Sequence, residues 1–194
     1  DVFAEAKSTL EKISGVPYVS DIAVTYTDLK NPTFAYRVIL DHIRAATLLI
    51  GDDVLPGNKD QMYFVRRLIR RAVRYARNLG IHTNFIAEVA VSFIEYYKDE
   101  YKNLEEKRGT ILLELTREEE KFRKTLESGM KEFEKIAQST ISGVNAFNLL
   151  QSFGFPIELT EELAKERGII VDREAFEVEK KKHSEQSRTA SAGQ

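Results

Sequence analysis

The sequence predicts an all-α or nearly all-α fold, a helical bundle with connecting loops. Apolar residues recur at intervals of three and four through most of the 194 positions. Most Gly and Pro residues punctuate the joints between these periodic stretches. Extended character is confined to a short piece near 169–171, read as one short hairpin at most.

Residues 3–13 read as a short amphipathic helix that stops at Ser14-Gly15, with Pro17 just beyond. Residues 16–33 mix Tyr, Val, Thr and Asp with turn formers around Asn31-Pro32 and read as a loop. Helix resumes near Thr33 and runs to about Ile50, with Phe34, Val38, Ile39, Ile43, Ala46 and Ile50 on one face. Val54-Leu55-Pro56-Gly57-Asn58 is a turn-rich loop. Residues 63–79 give the strongest helical pattern, closed by Gly80, and Thr83 or Asn84 is expected to cap the next helix, to about Tyr97.

A charged stretch over 104–137 carries an apolar stripe of Leu112, Leu115, Phe122, Leu126, Met130 and Phe133, with Gly109 a candidate break. Residues 144–152 form a short helix before the Gly154-Phe155-Pro156 turn. Thr160 is expected to cap a helix over 161–167, and a last helix runs over 172–182. The small polar residues 184–194 read as a disordered tail.

Composition excludes several classes of function. The chain has no cysteine, so no disulfide framework and no thiolate metal site is available, and three scattered histidines do not suggest zinc. No apolar run approaches the roughly 20 residues needed to span a bilayer. Asp1 opens on a polar stretch without the features of a secretory signal, which makes the cytoplasm the expected compartment and a membrane partner unexpected. No Gly-rich phosphate loop, supported Ser/His/Asp set or metal-ligand cluster stands out, so no residue is assigned to catalysis or to a metal. The acidic runs Asp52-Asp53 and Glu118-Glu119-Glu120 read as solvated.

The net charge of −2 conceals an uneven distribution: between Arg37 and Arg77 nine Arg or Lys face four Asp. Six arginines, Arg66, Arg67, Arg70, Arg71, Arg74 and Arg77, fall within one arc of roughly 140° on the 63–79 helix. Val65, Leu68, Ile69, Ala72, Val73 and Ala76 take the opposite side. Arginine suits bidentate pairing with phosphate or carboxylate. Like charges at i,i+4 repel, so the stripe needs a counter-charge. A polyanion such as RNA could supply it, and so could acidic residues of the 114–134 stretch.

Several strings then have to be read together. Asp41-His42-Ile43-Arg44-Ala45, the loop Val54-Leu55-Pro56-Gly57-Asn58 and the run from Tyr63 through Arg66-Arg67 and Arg70-Arg71 to Arg74 come first. Glu118-Glu119-Glu120-Lys121-Phe122, Thr125-Leu126-Glu127-Ser128-Gly129, Phe153-Gly154-Phe155-Pro156 and Glu166-Arg167-Gly168 follow. In this order the sequence, over about 34–182, resembles the middle, tRNA-recognising region of the alanyl-tRNA synthetase family.

The resemblance implies a parent enzyme that activates alanine with ATP and magnesium and transfers it to the 3′ end of its tRNA. It places a class II catalytic domain before this region and a zinc-binding editing domain after it, neither expected within these residues. By that reading 1–32 are the exit from the catalytic domain and a linker, 33–103 a first helical tRNA-recognition subdomain, 104–182 a second, and 183–194 the tail. The segment itself needs no cofactor and is not expected to aminoacylate. Its expected partner is the acceptor stem of the tRNA specific for alanine, not DNA.

In the family, identity rests on a G·U wobble pair, whose guanine 2-amino group is unpaired in the shallow RNA minor groove. The family reads it with an Asn in a Leu-Pro-Ser-Asn loop and an Asp before the Gly-Phe-Pro turn. Asn58 matches the first position, beside Gly57 where the family usually has Ser. Gln151 stands at the second, able to accept from the amine but without charge assistance. The family's glycine-rich stretch after the Asn is replaced by Lys59-Asp60-Gln61-Met62. The six arginines would hold the RNA backbone. Asp41 and Arg44 are expected to be structural, His42 a core or interface histidine, and Phe153, Phe155 and Pro156 a packed turn. Two other classes stay open: a helical protein-interaction module using the Leu112–Phe133 stripe, and a non-catalytic RNA-binding paralogue.

Overall fold

The computed structural model describes residues 1–20, 23 and 28–192, the side chains of 188–192 excepted. Part of the predicted 16–33 loop and the last two residues of the predicted tail lie outside the described residues. The described chain is helical apart from loops and one two-residue strand pair, in agreement with the predicted fold class.

Helix α1 (Ala4–Ser14) ends where Gly15 takes a left-handed φ of 68°, and its N–H reaches Glu11 O at 2.9 Å. Helix α2 (Pro32–Gly51) starts on Asn31, whose side chain accepts from Thr33 N at 2.8 Å, with Pro32 in the first turn. Helix α3 (Asp60–Asn78) lays Val65, Leu68, Ile69, Val73 and Ala76 into the core against α2. Helix α4 (Ile86–Tyr97) and the short α5 (Lys102–Glu106) follow. The break before the long α6 (Arg108–Ile136) falls at Lys107, while Gly109 lies within α6. After it come β1 (Thr140–Ile141), α7 (Gly143–Phe153), α8 (Ile157–Lys165), β2 (Ile170–Val171) and α9 (Arg173–Ala192).

Two compact units divide the chain, residues 1–123 and 124–194. The boundary between these units lies inside α6, later than the 103/104 joint implied by the resemblance. The reason is that Ile111, Leu115, Glu118, Glu119 and Phe122 are buried within the first unit. Its core also holds Tyr36, Ile39, Ile43, Tyr75 and Phe93. The core of the second unit holds Leu126, Phe133, Ile141, Leu149, Phe155, Leu163 and Phe176.

Four expectations are corrected. The extended piece at 169–171 is not a hairpin: Thr140 pairs with Ile170 and Ile141 with Val171 in parallel, because α7 and α8 intervene. Thr160 does not cap α8 but is buried inside it; the helix begins at Ile157, directly after Pro156 sets the turn. Neither Thr83 nor Asn84 caps α4, since its first amides go to Glu119. Helix α9 continues past 182 to Ala192, over a Ser- and Ala-containing run with no Gly or Pro to stop it. No helix among the described residues is long and apolar enough to cross a membrane.

The stripe on α6 is mostly internal. Leu115, Phe122, Leu126 and Phe133 are buried, with Leu112 and Met130 half-buried, so that an interaction module of the kind considered above would find its face already used.

Candidate nucleic-acid interface

The loop ahead of α3 is closed by Gly57 N donating to Met62 O at 2.9 Å. A Cβ on Gly57 would lie 2.6 Å from Met62 Cε and 2.8 Å from its Cβ, so Met62 fills the space that a side chain at position 57 would take. Asp60 takes a left-handed φ of 47°. The chain therefore turns sharply into α3. Asn58 is exposed at the tip, and Arg66, two turns into α3, donates from Nη1 to Asn58 Oδ1.

The six arginines do not share one environment. Arg70 and Arg74 are 5% and 4% exposed, whereas Arg66, Arg67, Arg71 and Arg77 are half-buried. Of the two counter-charges considered for the stripe, an acidic residue of the 114–134 stretch serves at least Arg66 and Arg70. Glu118 of α6 crosses the stripe and takes Arg70 Nε and Nη2 on Oε1, both at 2.7 Å. Arg66 Nε lies 3.0 Å from the same oxygen. Burial lowers the Arg70 pKa from its ordinary value, and the Glu118 carboxylate pulls it back up. Phe122 lies under the Arg70 guanidinium at 5.3 Å from the ring centre. Arg74 stacks over Tyr75 at 4.6 Å.

Arg67 lies over the exposed Phe64 ring at 4.9 Å. Arg71 Nη1 meets His42 Nε2 at 2.8 Å. A guanidinium only donates, so His42 Nε2 accepts and the ring carries its proton on Nδ1, 3.4 Å from Asp41 Oδ2. Burial first, and then the Arg71 charge, push His42 down to about 4. Arg44 donates to Tyr97 Oη at 3.1 Å and stacks over Phe3. His42 and Arg44 thus tie α2 to α3 and α4, whereas the exposed Asp41 meets His42 and Arg44 of its own helix.

Glu118 and Glu119 are the residues that sequence reasoning misjudged. Both belong to a run expected to be solvated, yet they are 5% and 1% exposed. The available signal was their spacing: both fall on the face of α6 that carries Leu115 and Phe122.

In the second unit, two of the quoted strings interlock. Thr125 Oγ1 donates to Phe153 O at 2.7 Å, and Gly129 lies so close to the Phe155 ring that a Cβ there would collide with it. Gly154, at φ 71°, ends α7 before the buried Phe155 and Pro156, so this segment is a packed turn. Gln151 is exposed on α7, its Nε2 3.0 Å from His183 Nε2 on α9. The amide nitrogen only donates, so His183 accepts and Gln151 Oε1 keeps its acceptor capacity. Among the described residues no group of three or more His, Asp or Glu could hold a metal ion.

The family model for class II (A) tRNA synthetases matches residues 1–194. The chain belongs to that family. Among curated members it is 42% identical to an alanine–tRNA ligase of Borrelia hermsii, over 97% of this chain and 31% of the relative. It is 39% identical to the alanine–tRNA ligase of Halalkalibacterium halodurans, over 98% of this chain and 22% of the relative. That of Picosynechococcus sp. is 42% identical over 94% of this chain and 20% of the relative. The chain thus spans between a fifth and a third of the length of these class II (A) synthetases.

Proposed function

We propose that this chain is the acceptor-stem recognition part of an alanine–tRNA ligase, an enzyme that joins alanine to its tRNA with ATP and magnesium. The adenylation and transfer chemistry belongs to other parts of such an enzyme. The observation that carries the reading is Asn58, exposed at the head of the arginine helix with its amide turned by Arg66. A carbonyl oxygen has two lone pairs, so Asn58 Oδ1 can accept from Arg66 and from a guanine 2-amino group together. Gln151 would supply a second acceptor through Oε1. Arg67, Arg71 and Arg77 would contact phosphates, with Arg66 at the base-reading end, while Arg70 and Arg74 support the helix from within. Phosphate contacts give salt-dependent affinity, and base contacts give selectivity.

The test is binding of the 194-residue chain to acceptor-stem microhelices carrying either G·U or G–C, at two salt concentrations. Asn58→Ala and Gln151→Ala are expected to reduce the preference for G·U, each about two- to tenfold, the worth of one hydrogen bond. Arg67→Ala is expected to weaken both stems alike and to lower the salt slope by about one. No binding at low salt would overturn the proposal. Equal loss on both stems for Asn58→Ala would remove its assigned role.

A further inference from the structure

Asn58 is exposed, and an exposed asparagine held only by a long, rotamer-rich arginine would not present one orientation to a base. Yet Arg66 is not loose: its guanidinium is ion-paired to Glu118, with Nε 3.0 Å from Oε1 though outside hydrogen-bond geometry. That carboxylate is in turn anchored by Arg70 at 2.7 Å and is only 5% exposed, so it cannot swing into water without abandoning buried partners. The Arg66 guanidinium carries a full positive charge to the Asn58 end. The bond from Arg66 to Asn58 is therefore charge-assisted. Since Arg66 has no acceptor, it also forbids the flipped amide, so Asn58 presents its oxygen in a fixed direction.

We propose that Glu118 is a positioning residue for base reading: it fixes Arg66, and Arg66 fixes the Asn58 amide. The inference rests on the acceptor-stem reading above and extends it to a residue on a different helix from the loop. Discarding the Glu118 charge frees Arg66 to reach solvent or a phosphate. Affinity and selectivity then move in opposite directions, which a purely structural role would not produce.

Glu118→Gln should lower the preference for a G·U over a G–C microhelix about two- to tenfold. Affinity for both stems should hold or rise, with a steeper salt dependence from the released cation. Arg66→Lys keeps the Glu118–Arg70 pair and tests the same link if Glu118→Gln fails to fold. A lysine offers one compact head that cannot serve the carboxylate and the amide together, so the preference should fall by a similar factor. Circular dichroism establishes that each variant is folded. If a folded variant keeps the full G·U preference while Asn58→Ala loses it, the positioning role is overturned and the base contact survives. If Glu118→Gln instead weakens both stems equally with the preference intact, its role is structural and the inference fails. If Asn58→Ala itself leaves the preference unchanged, the acceptor-stem reading fails first and the inference falls with it.

Discussion

Glu119, on α6, caps the N-terminus of α4: its Oε2 accepts from Ile86 N at 3.0 Å and from Phe85 N at 3.2 Å. Arg123 completes the site, donating from Nη2 to Oε1 at 2.9 Å. Helix amides left without an intrahelical partner favour an acceptor, and a carboxylate there also meets the positive end of the helix dipole. Burial raises the Glu119 pKa, while the two amides and Arg123 act to lower it.

Glu119→Ala should therefore destabilise the first unit by about 3 kcal/mol, since it leaves two buried amides and a half-buried arginine without this acceptor. Glu119→Gln should cost less, because its amide oxygen still accepts. Urea denaturation followed by circular dichroism checks both, and a loss below about 1 kcal/mol for Glu119→Ala would show that water replaces the cap.

The same substitution should have opposite signs at two positions of α6. Gly129→Ala drives a methyl group into the Phe155 ring and should destabilise the chain by about 1–3 kcal/mol, despite the better helix propensity of alanine. A Cβ at Gly109 meets nothing within 4 Å, so Gly109→Ala should stabilise it by about 0.5–1 kcal/mol. Paired thermal melts decide the matter, and a stabilising Gly129→Ala would contradict the packing of the Gly154-Phe155-Pro156 turn.

His42 makes stability depend on pH. Its folded pKa of about 4 lies below the ordinary value of 6.5, so between those values the unfolded chain binds the extra proton. Stability should fall as pH drops from about 6.5 to about 4, with no further loss from this residue below that, by about 3 kcal/mol in total. His42→Gln should flatten that part of the profile. Denaturation midpoints measured across the window test it, and an identical slope in the variant would assign the pH dependence to other groups.

Helix positions were largely legible in the sequence. The 3.6-residue periodicity and the left-handed glycines at 15 and 154 are local features that act within a few residues, whereas Asn31 and Pro32, read as turn formers of a loop, in fact open α2. The resemblance located Asn58 and Gln151 through short strings that need no knowledge of packing. The arginine face was legible as a geometric fact, but its two halves were not. Nothing within α3 distinguishes Arg70 from Arg67, and only α6 crossing that face makes one buried and the other half-buried.

The sequence by itself determined the helical class, the helix faces and the family to which the chain belongs, because each is written in residue types at short, regular spacing. The tertiary structure alone decided how the charges pair. Glu118 and Arg70 lie 48 residues apart, and Glu119 and Ile86 lie 33 apart. A charged residue at core spacing reads from sequence as a solvated one. Only a buried partner arriving from another helix can stabilise its charge, and periodicity along one helix carries no information about that partner.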